Sequence, residues 1–185
     1  MRLLAFTGMP FSGKSEAVKI AKEMDIPVIR MGDMIWEEVK NRKLELSDKN
    51  VGTIASRMRE ENGKDIWARK TLEKIKSVEN MNFIVIDGIR NVEEIDLFKR
   101  HLVGDFVVVA IEATDKTRQK RALTRDRKDD SKDLQKIKER DKRELDWGLG
   151  RVIASADIVV LNEGSVEDFQ KKIREILERL LKAIT

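Results

Sequence analysis

Eight residues near the start of the chain, Gly8 to Ser15, read GMPFSGKS, and nothing else in the sequence constrains the fold as strongly. They match G-x-x-x-x-G-K-[ST], directly after the apolar run Leu3 to Thr7 and before a helical period that begins near Gly13. Strand, glycine-rich turn and helix start, in that order, build a phosphate cradle. Gly8 and Gly13 permit backbone angles and a closeness of approach that a Cβ forbids, so the turn Gly8, Met9, Pro10, Phe11, Ser12, Gly13 can converge successive N–H groups on phosphate oxygens. The helix beginning there adds the positive end of its dipole. Lys14 supplies a point charge for β and γ phosphates, and the Ser15 hydroxyl can ligate Mg2+. The plainer reading, a glycine-rich turn before a helix, leaves Lys14 without a task.

The pattern downstream agrees. Short β-rich runs, Leu3 to Thr7, Pro27 to Met31, Phe83 to Asp87, Phe106 to Glu112 and Ile158 to Leu161, alternate with longer helical periods. This alternation predicts an α/β fold, a five-stranded parallel sheet with crossover helices on both faces in three layers. Helices are expected over 13–24, 33–42, 49–61, 64–77, 92–101, 116–125, 133–145 and 166–181. No repeat, low-complexity tract or Gly/Ser linker interrupts the chain, so residues 1–185 read as one domain. Two insertions exceed what a crossover needs: 32–81, with three helices, and the basic stretch 115–146. Both are expected at the carboxyl ends of the strands, where open α/β sheets bind ligands.

The third strand ends on a carboxylate. In FIVIDGIR, residues 83–90, Asp87 is placed beside the cradle and can hold a Mg2+-bound water. With one His and no Cys, disulfides, Cys-built metal sites and most His-based catalytic dyads are excluded. No apolar run approaches the length of a membrane span or a signal peptide, and a cytoplasmic location is expected. The net charge of +4 is unevenly spread. Residues 115–145 carry 13 basic and 8 acidic side chains, while the rest of the chain is nearly balanced. Acids interleaved with bases, and no aromatic interleaving, argue against nucleic acid and for a small polyanion.

Beyond the cradle, the chain resembles the P-loop nucleoside monophosphate kinases. MGDMI, residues 31–35, comes after the second strand as TGDML does in adenylate kinases, and DGIR, residues 87–90, stands where those enzymes carry DGFPR. KRALTRDRKDD, residues 120–130, is similar to the lid of UMP/CMP kinases, with Arg121, Arg125, Arg127, Asp129 and Asp130 in register. SADIVVLNEG, residues 155–164, resembles a stretch of dephospho-CoA kinases just before their last helix. Including ERDKRELDWGLG, residues 139–150, the chain most closely resembles an archaeal group of adenylate-kinase-related and dephospho-CoA-kinase-related proteins.

The resemblance implies a P-loop NTPase fold with a helical acceptor-binding insertion and a lid, ATP and Mg2+ as cofactors, and a small phosphate-bearing acceptor such as AMP or CMP. It assigns Lys14, Arg90, Arg121 and Arg125 to catalysis. Arg90 would clamp the acceptor phosphate bidentately, and Arg121 and Arg125, four apart on one helix face, would swing with the lid onto the moving group. Asp33 would orient the acceptor, and Arg57 and Arg69 are candidate acceptor-phosphate ligands of the insertion. Two departures stand out. Position 36 is Trp where adenylate kinases carry a phosphate-binding Arg, and position 94 is Glu where they read adenine with Gln. A carboxylate accepts from an exocyclic amine but cannot also donate. Two alternatives stay open: a kinase of dephospho-CoA or another metabolite, with Asp33 as base toward a hydroxyl, and a nucleotide-binding ATPase or switch acting with a protein or RNA partner.

Overall fold

The apolar runs pair as one parallel sheet, because side chains that are apolar on both strand faces must be covered on both faces. The computed structural model of the protein describes residues 2–77, 82–101, 104–124 and 133–182. Its strands are β1 (Arg2–Thr7), β2 (Val28–Arg30), β3 (Phe83–Asp87), β4 (Phe106–Glu112) and β5 (Ile158–Leu161), in the spatial order β2-β3-β1-β4-β5, all parallel. The helices are α1 (Lys14–Glu23), α2 (Met31–Asn41), α3 (Asp48–Asn62), α4 (Ile66–Lys76), α5 (Val92–His101), α6 (Asp115–Thr124), α7 (Leu134–Asp146), α8 (Leu149–Ala154) and α9 (Val166–Lys182).

Strand alternation divides the core in two. Leu3, Ala5, Ile84, Ile86 and Val108 face one side and pack with Ile35, Ile54, Trp67, Leu72 and Phe98 from α2 to α5. Leu4, Phe6, Val85, Val109, Ile111 and Val160 face the other, against Ala17, Ile20 and Ala21 of α1 and Phe169, Ile173 and Leu177 of α9. The result is the three-layer α/β/α arrangement that the sequence pattern predicts. The apolar stripe expected on the last helix is that second face.

The differences are local. Pro27 precedes β2 because it has no N–H to give a ladder, although its carbonyl accepts from Val85 N at 2.9 Å. Met31 already opens α2. The helix α8 is not predicted by the sequence pattern; it is six residues long and starts after Gly148 at φ 111°, so a glycine-rich segment reads as a loop. Asp115 begins α6, and the expected end of that helix, Arg125, lies outside the described residues, as do Arg127, Asp129 and Asp130. Among the described residues no helix is long and apolar enough to cross a membrane.

β1 lies at the centre of the sheet and pairs with β3 and β4, so the turns after β1 and β3 emerge side by side. Above them close α2 to α4 from one side and α6 and α7 from the other. The sheet thereby presents a crevice at its carboxyl edge, where ligands of open α/β sheets are held.

Candidate active site

The cradle is built as its residues require. Gly8 sits at φ 139° and Gly13 at φ 119°. A Cβ on Gly8 would fall 2.2 Å from the Ile111 carbonyl oxygen, and one on Gly13 2.1 Å from Asn162 Nδ2. Both positions therefore demand glycine for conformation and for space. Between them Phe11 adopts φ 64°, a left-handed conformation costly for an aromatic residue, and its ring packs with Ala122 of α6 and Ile137 of α7. Gly13 caps α1 without any side-chain bond, which leaves the first N–H groups of that helix directed at the crevice.

Lys14 is bent over the turn, with Nζ donating to the Gly8 carbonyl at 2.6 Å and the Met9 carbonyl at 2.9 Å. Burial lowers its pKa to about 7, and the Arg90 cation adds to that; Glu144 and Asp87 pull the other way, and Arg140 pushes it down again. Asp87, at the end of β3, has one oxygen 3.6 Å from Arg30 Nε, and its other oxygen, Oδ1, is buried with no hydrogen-bond donor. Ser15 and Asp87 line the same cavity. A carboxyl oxygen with no hydrogen-bond donor, in one cavity with a hydroxyl and a phosphate cradle, fits Mg2+, which keeps waters and takes one or two protein ligands plus phosphate oxygens.

The cavity is about 410 Å3 and reaches from the cradle to the helical insertion, lined by seven basic and four acidic side chains. Its far wall is a network of buried charge. Arg90, in the turn after β3, places Nε 2.7 Å from Glu144 Oε2. Glu144 also receives Arg140 Nε at 3.3 Å, one helical turn earlier on α7. Burial pushes the Glu144 pKa up, but Arg90, Arg140 and Lys14 outweigh it and hold the carboxyl at about 2. Arg143, on the same helix, donates to both oxygens of Asp48 at 2.8 and 3.0 Å, and Arg140 stands 3.5 Å from Asp48, so α7 is tied to the first turn of α3.

Beneath this lies a second buried pair. Arg59 of α3 and Glu94 of α5 meet at 3.0 Å, with side chains 6% and 0% exposed. Glu94 also accepts from the Arg90 backbone N–H at 2.7 Å, and its own N–H is capped by Asn91 Oδ1 at 2.9 Å. The turn that carries Arg90 is thus fixed from both ends. The Arg59 guanidinium lies 4.4 Å from the centre of the Trp147 ring, whose Nε1 donates to Ser56 Oγ at 3.0 Å.

Lys14, Ser15, Asp87, Arg90 and Arg121 therefore line one cavity, with Trp36 on its wall. Asp33, Arg57 and Arg69 do not. Asp33 is half exposed beside Arg30 at 3.4 Å and does not line the cavity, because the turn of α2 that enters it carries Met31, Gly32 and Ile35. Arg57 is exposed and pairs with Glu61 at 2.6 Å along α3. Arg69 pairs with Asp65 at 3.3 Å and bonds the Asn62 carbonyl, outside the cavity. The insertion sends Arg59 inward instead. Glu94 is bound to Arg59 and is not available to a base. Arg121, by contrast, does line the cavity, at the rim of the cradle, donating to the Ser12 carbonyl at 3.1 Å and the Asn162 carbonyl at 2.9 Å. Arg125 lies outside the described residues. Sequence reasoning misses Arg59, Arg140, Glu144 and Asn162. The one available signal is the stripe Ile137, Arg140, Glu144, Trp147, which places charges where a buried helix face normally carries apolar residues.

The basic stretch is partly neutralised from within. Arg118 is buried between Asp141 at 2.7 Å and Asp115 at 2.6 Å, and it donates to the Pro10 carbonyl at 3.0 Å. These contacts pin α6 and α7 to the cradle.

Fold and cradle together define a P-loop protein of the kinase-like kind. A family model described as an AAA domain matches residues 7–138. A UPF0200 protein of Methanosarcina barkeri is 41% identical over 182 residues, 98% of this chain and 97% of its own length. One from Thermoplasma volcanium is 43% identical over 95% of this chain and 96% of its own. The chain belongs to the UPF0200 family. A UPF0200/UPF0201 protein of Archaeoglobus fulgidus is 43% identical over the whole chain, which spans 57% of that relative's length. Among solved structures, shikimate kinase from Aquifex aeolicus aligns with TM-score 0.53 at 20% identity over 96% of both chains. TT1252 from Thermus thermophilus aligns with TM-score 0.61 at 16% identity, over 96% of this chain and 97% of its own. These two likenesses concern the fold.

Proposed function

We propose that this chain is an ATP-dependent phosphotransferase that uses Mg2+ and acts on a small phosphate-bearing acceptor, foremost a nucleoside monophosphate such as AMP or CMP. The observation that carries this reading is the single cavity in which Lys14 of the cradle and Arg90 of the opposite wall face one another. Donor phosphates fit the cradle, Lys14 and the end of α1. Ser15 and Asp87 would hold Mg2+, which when bound supplies charge neutralisation on the β and γ oxygens. The acceptor phosphate fits against Arg90 and Arg140, within reach of in-line attack by one of its own oxygens.

The charges of the wall favour a phosphate acceptor over a hydroxyl. A hydroxyl needs a general base whose pKa lies near the working pH. Of the two acids on the acceptor wall, Glu144 is held at about 2 and takes no proton at neutral pH, and Asp48 has both oxygens bonded to Arg143. A phosphate monoester brings its own nucleophile, already ionised. The base of the acceptor is not read through position 94, since Glu94 is occupied by Arg59. In this reading residues 1–185 form one kinase domain, with 32–81 receiving the acceptor and 115–146 closing over the donor.

Incubation with γ-labelled ATP and a panel of AMP, CMP, UMP and dephospho-CoA tests it. Label is expected on a nucleoside monophosphate, and Lys14→Ala is expected to lower transfer on the order of a hundredfold or more. Transfer within a few-fold of wild type in that variant would remove the donor assignment. Label on dephospho-CoA alone would move the acceptor class, and ATP hydrolysis with no labelled acceptor would favour a switch.

A further inference from the structure

The acid in the middle of the cationic wall has no role in the proposed chemistry. Glu144 is 3% exposed on α7, an expensive place for a carboxylate, and its neighbours are all positive: Arg90 from the turn after β3, Arg140 from its own helix, and Lys14 across the cavity. Asp48, the other acid on this wall, stands 3.5 Å from Arg140 and is bonded to Arg143, so Glu144 is the carboxylate that meets Arg90 and Arg140 together. Arg90 approaches it through Nε at 2.7 Å, an ion pair whose angle is not that of a hydrogen bond, so Oε2 keeps an unfilled acceptor. NH1 of Arg90 bonds the Ile89 carbonyl at 3.1 Å, and the guanidinium is thereby held at two points.

We infer that Glu144 is a positioning residue. Its carboxylate holds Arg90 and Arg140 side by side on the acceptor wall and sets the angle at which they meet an incoming phosphate. The inference rests on the phosphotransferase reading for its kinetic consequence, and on the geometry alone for its effect on anion binding. As a permanent anion, Glu144 also competes with any phosphate for the same two arginines. It therefore weakens ground-state anion binding while it improves the geometry of transfer, which is the direction in which catalysis requires binding energy to be distributed.

This gives a split that mere structural support does not produce. In Glu144→Gln, which keeps shape and removes charge, inorganic phosphate titrated into the nucleotide-free protein by calorimetry is expected to bind roughly three- to tenfold tighter. The kcat for transfer from ATP to AMP or CMP is expected to fall on the order of tenfold to a hundredfold, as misaligned groups do. Glu144→Asp, which restores the charge on a shorter arm, should return phosphate affinity toward wild type and recover part of kcat. In an Arg90→Ala background the gain in phosphate affinity from Glu144→Gln should shrink, since the two residues act on each other. Parallel losses of phosphate affinity and kcat, or no change in either, would overturn the inference. So would full additivity with Arg90→Ala. If the wild type transfers phosphate to no acceptor, the phosphotransferase reading fails, and the phosphate titrations of the Gln and Asp variants still decide whether Glu144 restrains the arginines.

Discussion

The two halves of the cavity are made in different ways. In the proposed reading the donor half is a continuous run of eight residues, Gly8 to Ser15, whose chemistry is mostly backbone: converging N–H groups, a helix end and one lysine. The acceptor half of that reading is assembled from α3, the turn after β3, and α7. Its contacts join positions as distant as Asp48 and Arg143, and its chemistry is entirely side chain. A backbone site is fixed once the strand-turn-helix geometry is fixed. A side-chain site can be rebuilt while the fold stays the same, and beneath this wall Glu94 is held in an internal ion pair with Arg59.

The two halves come apart most sharply when binding is separated from transfer. Lys14→Ala should weaken ATP binding and abolish transfer together, because the donor half does both. Arg90→Ala should leave the dissociation constant for ATP within about threefold while lowering transfer by about 10^2–10^3-fold, the usual loss for one electrostatic stabiliser of a transition state. Equilibrium binding and initial rates on the same preparations check it. If Arg90→Ala weakened ATP binding as much as it slowed transfer, donor and acceptor halves would be one site.

Much of the molecule is legible in the amino-acid order, and the contrast between backbone and side-chain sites explains where legibility stops. All five strands fall within a residue or two of their expected bounds, because buried parallel strands must be continuously apolar. The cradle is equally plain, since its spacing is the structure. The acceptor wall is not, because α7 reads as a solvated helix. KIKERDKREL carries acids and bases four apart, as exposed helices do, and nothing local says that Arg140 and Glu144 face a cavity while their neighbours face water. Asp33, Arg57 and Arg69 fail for the mirror reason. They are the right residue types in the right insertion, on helix faces that tertiary packing turns outward. Arg59, two residues from Arg57, faces the core on the same helix, and only the rotation of α3 decides which of the two is used.

That rotation can be tested through stability. Arg59 and Glu94 are buried and bonded to each other, so removing one partner strands a charge. Glu94→Gln or Arg59→Met alone should cost about 3–5 kcal/mol, and the double variant less than the sum of the two. Denaturant unfolding of the four proteins measures it, and the turn holding Arg90 should loosen in the single variants, slowing transfer more than it weakens ATP binding. Additive costs would mean that the pair does not act as a unit.

A smaller effect appears on acidification. The folded-state pKa of Glu144 is depressed to about 2, so its contribution to stability is present above the ordinary glutamate value of about 4.3 and is lost as pH falls through that range toward 2. As pH falls from about 8 to 6 the difference in melting temperature between wild type and Glu144→Gln should widen, because loss of the carboxylate lowers the Lys14 pKa further below about 7, and it should then close between about pH 4.5 and 2. A gap that widened below about pH 4.5 would mean that the carboxyl is protonated more readily in the folded protein than in the unfolded one, which contradicts a site lined by three cations.

The smallest expected effect is the most direct check on the side-chain half. Arg57 is solvent-exposed and its partner Glu61 is on the same helix, a geometry in which charge pairs add little because water already solvates both ends. Arg57→Ala should leave melting temperature, ATP binding and acceptor KM at wild-type values. If acceptor KM rose instead, α3 would have to turn during catalysis to bring Arg57 inward. Arg59 would then leave Glu94, and the buried pair that holds Arg90 in place would have to break in every cycle. The stability cost of the Arg59 and Glu94 variants sets how costly such a turn is, so the silence of Arg57→Ala and the large effect at Arg59 stand or fall together.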